Sequence, residues 1–324
     1  MTRPNLAYRI LIRSVIYYAI LCLVAGIMLA NISVRLPKDP VDAADTAKIR
    51  ARVQREFHAT VDDVSLTGFD GAILKAWYIE PINPNGKSVL ILHGIGGNRI
   101  DETGFGDIFL SHGYAVLLPD SREHGASGGP AATYGILERD DIRRWVDWVR
   151  QRDSGCTYLL GESMGAAIGL QATAVTPRLC AVAVESPYST FREIGYERLG
   201  RESRFGPLFW RTLGRPIIEV AIAYTKLRDG IYLPNAEPKQ AVQQSHVPAL
   251  LIAGTVDKDI PMHHAQELQA VCPSHCALWI VPGADHGGAA TVNQAEFAHR
   301  VLGWFQAHDT AIAAYRPAAS ISAK

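Results

Sequence analysis

The chain has 324 residues, 48% hydrophobic and 20% charged, with 32 basic and 32 acidic side chains. That composition fits a globular protein with a sizeable core and excludes a disordered chain. A formal net charge of zero argues against a general nucleic-acid binder, which needs a basic excess.

The first predicted element is a transmembrane helix. Residues 14–30 carry no charge, and Leu11, Ile12, Ile32 and Val34 extend the apolar run to about the 20 residues that cross a bilayer. As a helix this segment is apolar on every side, which disfavours attachment to a membrane surface. Arg3, Arg9 and Arg13 precede it, while Arg35 and Lys38 are soon offset by Asp39, Asp42 and Asp45. The positive-inside rule then leaves the N-terminus in the cytoplasm and the bulk of the chain outside it. The alternatives are a cleaved signal peptide and a secreted protein, or a buried or amphipathic helix. The apolar run is long for a signal peptide, and Met28-Leu29-Ala30 is a poor small-x-small cleavage site. Residues 1–35 therefore read as a membrane anchor. Residues 36–60 read as a polar linker holding a short helix at 43–57.

Beyond residue 60, strands and helices alternate. Residues 63–69 and 72–79 read as two strands joined by Asp70-Gly71, a hairpin signal. Short apolar runs follow at 88–92, 115–119, 157–160, 181–184, 249–253 and 277–281. Runs without alternation are what a parallel sheet buried on both faces produces. Between them, residues 136–150 read as an amphipathic helix with Ile142, Trp145, Val146 and Val149 on one face. Helices between parallel strands imply right-handed crossovers and a doubly wound sheet. Some 60 residues between Ser186 and Val247 contain no clear strand. This excursion, about 187–247, is a natural helical cap over a ligand site. Its Arg198, Arg201, Arg204, Arg211 and Arg215 surround Phe205, Phe209 and Trp210, a mixture suited to a membrane surface. The plain alternative is a lid with aromatics lining an acyl pocket. Residues 311–324 read as a C-terminal tail.

Of five cysteines, Cys22 falls in the predicted span, and Cys156 and Cys180 each open a predicted strand. Cys272 and Cys276 are close enough to pair in an oxidising compartment, or else pack as small hydrophobes. His263, His264 and His275 nearby raise the idea of zinc, but the spacing matches no standard ligand pattern, so no metal is expected.

The strongest chemical signal is Gly161-Glu162-Ser163-Met164-Gly165, directly after an apolar strand and before a helix-forming run. Glycines on both sides of a serine let a strand and a helix meet in a tight turn that exposes the hydroxyl. That hydroxyl needs a base, and the base an orienting acid. Two later strands are followed by loops carrying Asp257 and His286, in the chain order Ser, Asp, His. Asp259, Asp285 and Glu185 are the alternative acids. Oxyanion donors are expected from the amide of Met164 and from the loop His93-Gly94-Ile95-Gly96-Gly97-Asn98, at Ile95. His93 and His124 are expected to brace loops.

These residues resemble the alpha/beta-hydrolase superfamily over residues 63–308, in its esterase, lipase and serine-aminopeptidase-like branch, as found in membrane-anchored bacterial members with a short cap. HGIGGN resembles the oxyanion loop. DSREHGASGG, at 120–129, resembles the Asp-x-Arg-x-His-Gly-x-Ser loop, with Glu123 where glycine often stands. GESMG, GTVDKDIP and GADHG resemble the triad segments. The resemblance implies an alpha/beta-hydrolase domain at 61–310 with a mostly parallel doubly wound sheet and a triad of Ser163, Asp257 and His286. It also implies neither metal nor organic cofactor. The expected activity is that of a serine hydrolase acting on an ester or thioester, with a small-molecule or lipid substrate and no nucleic-acid partner. A serine aminopeptidase-like peptidase and a non-catalytic binding protein are the competing readings.

Overall fold

The computed structural model describes residues 6–153 and 155–309; the tail expected at 311–324 lies outside them. The chain opens with α1 (Leu6–Val34) and α2 (Ala43–Phe57). Asp42 caps α2, accepting from the amides of Ala44 and Asp45. Next come β1 (Thr60–Thr67), β2 (Ile73–Glu80), β3 (Ser88–Leu92), α3 (Thr103–Leu110), β4 (Ala115–Pro119) and α4 (Glu138–Val149). Then follow β5 (Thr157–Glu162), α5 (Met164–Thr173) and β6 (Leu179–Glu185). The excursion holds α6 (Phe191–Glu202), α7 (Gly206–Arg211), α8 (Arg215–Asp229), a 3-10 turn (Leu233–Asn235) and α9 (Pro238–Gln244). The chain closes with β7 (Ala249–Gly254), α10 (His263–Val271), β8 (Cys276–Val281), α11 (Ala289–Val292) and α12 (Gln294–Ala307).

The eight strands form one sheet in the order β1-β2-β4-β3-β5-β6-β7-β8. β2 is antiparallel to both of its neighbours, and the remaining pairs are parallel. The first hairpin is displaced from expectation. Gly68 donates to the carbonyl of Ala72 at 2.8 Å and Gly71 has φ 84°, so the turn takes up residues 68–72 and β1 starts at Thr60.

The unbroken apolar runs are explained by burial on both sheet faces. In β3, Leu90 and Leu92 join one core with Trp145 and Val146 of α4. Val89 and Ile91 join the other with Phe297, Val301 and Phe305 of α12. Val53 of α2 is buried in that second core, so the stretch expected as a linker is packed onto the domain.

The first helix is more than a tether. Its residues Cys22, Gly26, Ala30 and Val34 recur every fourth position and are buried. Gly26 faces α8 of the cap, where a Cβ would sit 2.6 Å from Val220 Cβ and 2.7 Å from the Ile217 carbonyl, while Val34 reaches the main core. Small residues at this spacing let two helix backbones come close. Polar contacts run along the same seam. Tyr18 Oη donates to the carbonyl of Leu213, Arg228 donates to Asn31, and Arg35 pairs with Asp229 at 2.9 Å.

Two disulfides are formed. Cys272–Cys276 joins the end of α10 to the start of β8, a pairing that the short spacing allowed. Cys156–Cys180 ties the openings of β5 and β6, with Cα atoms 5.7 Å apart. Parallel pairing of Thr157 with Leu179 brings those openings side by side, which a separation of 24 residues does not announce.

In the chain-entropy account a crosslink stabilises more as its loop lengthens. Replacing Cys156 and Cys180 together by alanine is expected to cost about 3.5 kcal/mol, and replacing Cys272 and Cys276 about 2 kcal/mol. Denaturant unfolding followed by circular dichroism measures both; equal losses would contradict the ranking.

Candidate active site

Ser163 stands alone between β5 and α5, with φ 54° and ψ −114°, a backbone conformation that costs a non-glycine residue energy. The flanking glycines answer a spatial demand. A Cβ on Gly161 would lie 2.6 Å from the Gly165 carbonyl oxygen, and one on Gly165 would overlap the Leu92 carbonyl at the end of β3. Strand, turn and helix thus pack without room for any side chain there. The Ser163 amide is held by the Glu185 carbonyl at 2.9 Å.

His286 follows β8 through a turn in which Gly283 has φ 78°. Its Nε2 lies 2.9 Å from Ser163 Oγ and its Nδ1 3.0 Å from Asp257 Oδ2. Asp257 lies in the loop after β7, which the Val256 amide fastens to the Ala284 carbonyl at 3.0 Å. The Asp257 carboxylate also takes the amides of Asp259 and Ile260, each at 2.8 Å, and Ser186 Oγ at 2.7 Å. A carboxylate so engaged acts as acceptor throughout. The proton of the imidazole therefore sits on Nδ1, leaving the Nε2 lone pair for the serine hydroxyl.

Two of the three alternative acids go elsewhere. Asp259 pairs with Arg201 at 2.8 Å, and Glu185 accepts from the Ala289 amide at 2.7 Å. Ser186 escaped the sequence reading. It follows β6 directly, with φ 51°, and aims its hydroxyl at Asp257, and the only signal in the sequence was its position just after a strand neighbouring the elbow strand.

The site's electrostatics follow from burial set against these bonds. Burial opposes ionisation of Asp257, but bonds from His286, the Ile260 amide and Ser186 outweigh it and hold the carboxyl below its ordinary value. Burial likewise disfavours the His286 cation, yet the bond to Asp257 and its charge raise the imidazole above the usual 6.5. Neighbouring carboxyls respond mainly to desolvation, which lifts Glu162 and brings Glu185 to about 7.

The 93–98 loop lies over the serine, with a Cβ on Gly94 falling 3.5 Å from Ser163 Cβ. The amides of Ile95 and Met164 donate to no other group among the described residues. The Met164 amide sits in the first turn of α5, where unpaired N–H groups favour negative charge. His93 is fully occupied. Its Nδ1 donates to the Gly94 carbonyl at 2.7 Å and its Nε2 accepts from the Ser121 amide at 2.9 Å. His124 donates to the Arg122 carbonyl at 2.7 Å. Both histidines brace loops, as expected. Asp120, first residue of the DSREHGASGG segment, is bound by the buried Arg99 side chain and by the amide of Ala126 at 2.7 Å.

Two other clusters carry metal-type ligands. Cys272 and Cys276 are bonded to each other and offer no thiolate. Glu197 receives Nε2 of both His263 and His264 at 3.2 Å. The Ser189 amide donates to His264 Nδ1 at 3.2 Å, so the proton of His264 lies on Nε2. That pairing latches α6 of the cap to α10 rather than leaving a lone pair for an ion.

Known proteins resemble this chain in sequence and fold. The profile described as "Alpha/beta hydrolase family" matches residues 89–300. The uncharacterized protein YqkD of Bacillus subtilis is 28% identical over 235 residues, covering 71% of this chain and 73% of that protein. The uncharacterized protein YfhR of Escherichia coli K12 is 22% identical over 236 residues, covering 70% and 74%. Among solved structures, Pyrococcus furiosus esterase Pf2001 superposes with a TM-score of 0.68 at 22% identity, covering 86% of this chain and 99% of its own. The hydrolase GrgF from Penicillium sp. sh18 gives a TM-score of 0.60 at 20% identity, covering 77% and 99%. At these identities the structural likenesses concern the fold.

The His286–Asp257 bond sets a pH signature. The His286 imidazole is expected to titrate above 6.5 in NMR, and Asp257→Asn should move it downward by removing the bond and charge that raise it. An unchanged titration in the variant would contradict the coupling.

Proposed function

The chain belongs to the alpha/beta hydrolase family, and from that premise we propose a serine hydrolase that cleaves a carboxylic ester or thioester through an acyl-enzyme on Ser163. The observation that carries the reading is the unbroken line from Ser163 Oγ to His286 Nε2, and from His286 Nδ1 to Asp257, at 2.9 and 3.0 Å. His286 takes the hydroxyl proton as Oγ attacks the acyl carbon. Asp257 holds the ring in the required tautomer and stabilises the imidazolium. The carbonyl oxygen becomes an oxyanion facing the amides of Ile95 and Met164. His286 then protonates the departing alcohol or thiol, and a water deprotonated by His286 releases the acid. No step draws on a metal or an organic cofactor.

The cap favours an ester over a peptide with a free amine. Such an amine would need an unpaired acid, and of the cap carboxylates only Glu237 has no ion pair among the described residues. Glu193 is paired with Arg211, Glu197 with His263 and His264, Glu202 with Arg198, and Glu219 with Arg192. We assign residues 1–35 to a membrane anchor and 61–310 to the hydrolase domain, with its cap at about 187–247. The catalytic domain is assigned to the extracytoplasmic side. Arg9 and Arg13 at the start of the apolar helix support that side by the positive-inside rule, and two disulfides suit an oxidising compartment.

Ser163→Ala and His286→Ala are each expected to lower kcat on p-nitrophenyl butyrate by roughly 10⁴-fold or more, with the circular dichroism spectrum unchanged. Wild-type activity in Ser163→Ala would remove the nucleophile from the account.

A further inference from the structure

The packing of α1 on α8 bears on where the substrate comes from. The seam runs from Tyr18–Leu213 to Arg35–Asp229. Only residues 6–17 of α1 extend beyond it, about 18 Å of helix at 1.5 Å per residue. That is short of the roughly 30 Å of hydrocarbon in a bilayer. It also includes Arg9 and Arg13, whereas the charge-free stretch begins at Ser14 and lies almost wholly along α8. The apolar part of α1 cannot occupy the bilayer unless the cap edge goes in beside it.

The surface of that edge is suited to this. At the tip formed by α7 and the start of α8, Phe205, Leu208 and Leu213 are 65%, 75% and 64% exposed. Phe205 stacks on Phe209 with ring centroids 4.5 Å apart. The cap arginines, read from sequence as a cationic face, are largely spent on internal pairs. Arg198 binds Glu202, Arg201 binds Asp259, Arg211 binds Glu193 and Arg215 binds Glu219. What remains at the tip is Phe205, Leu208 and Leu213 with one exposed cation, Arg204, beside them.

We propose that α1 and the α7–α8 edge of the cap enter the bilayer as one unit, and that the substrate is a long-chain acyl ester or thioester drawn from the lipid phase. Leu208 joins the immersed tip to a cleft of about 470 Å³ between cap and core. That cleft is also lined by Arg201, Arg211, Lys258 and Pro261, and Lys258 adjoins the Asp257 loop. An acyl chain leaving the leaflet at Leu208 therefore enters a cleft whose wall at Lys258 adjoins the Asp257 loop. Attachment by burial of apolar side chains, rather than by attraction to anionic headgroups, makes binding insensitive to salt.

The substrate class rests on the acyl-serine reading, and immersion of the cap does not, so the test has two arms. Both use the full chain in phosphatidylcholine vesicles. In the first, Phe205→Asp/Leu213→Asp is compared with Ile82→Asp, an exposed apolar control on the β2–β3 loop. The double variant should lose about tenfold or more in turnover of a bilayer-dissolved long-chain ester, while soluble p-nitrophenyl acetate stays within about twofold. The control should change neither. Unchanged turnover of the bilayer ester, or equal loss of both esters, overturns the proposal. A wild-type protein that cleaves neither ester contradicts the acyl-serine reading and with it the substrate class. The second arm places a fluorophore on Leu213→Cys in a Cys22→Ala background and uses lipids brominated along their acyl chains. Quenching by about half or more at Leu213, with none at an Ile82→Cys control, is expected. No quenching at Leu213 would show that the cap stays in water and overturn the proposal.

Discussion

A serine hydroxyl and an imidazole can sit 2.9 Å apart on segments over a hundred residues distant only if their two strands end at the same level of one sheet. The parallel register supplies that level. Glu162 pairs with Glu185, Glu185 with Ile252, and Gly254 with Val281, so β5, β6, β7 and β8 finish side by side. The loops leaving these ends carry Ser163, Ser186, Asp257 and His286. Each is short and pinned by backbone bonds, so the sheet's geometry passes to the side chains with little slack. Topology thus does the positioning, and the local sequence supplies the groups.

The second constraint is electrostatic. Four donors converge on Asp257, which keeps it ionised in a buried setting and fixes both the tautomer and the orientation of His286. Without Ser186 and the two amides, burial would favour the neutral acid and weaken its hold on the imidazole. The strained backbone at Ser163 belongs to the same economy of space. Gly161 and Gly165 bring α5 against the end of β3, so the Met164 amide, unpaired among the described residues, and the 93–98 loop converge on the serine.

Much of this was legible in the sequence because it is local. Both-faced burial forces continuous apolar runs, and close backbone approach forces glycine, so the sheet and the elbow announce themselves. Asp257 and His286 could be picked out as candidates because each follows a legible strand directly. Other features depend on partners remote in the chain. Cys156 and Cys180 become neighbours only through the pairing of β5 with β6. Ser186 matters only because β7 delivers Asp257 beside it. The cap arginines read as a cationic surface until their carboxylate partners are seen. The repeat of Cys22, Gly26, Ala30 and Val34 was present in the apolar helix, but its meaning appears only with α8 against it. That seam recasts the first helix from a tether to part of the cap.

The central claim is that Ser163 is the atom that becomes acylated, activated by His286. Labelling with a fluorophosphonate tests it most directly, in a preparation that is turning over an ester, followed by mass spectrometry of the proteolysed chain. The account predicts one adduct per chain, on the peptide containing Ser163, and its loss in His286→Ala. An active preparation that labels elsewhere, for example at Ser186, or that does not label at all, would contradict it.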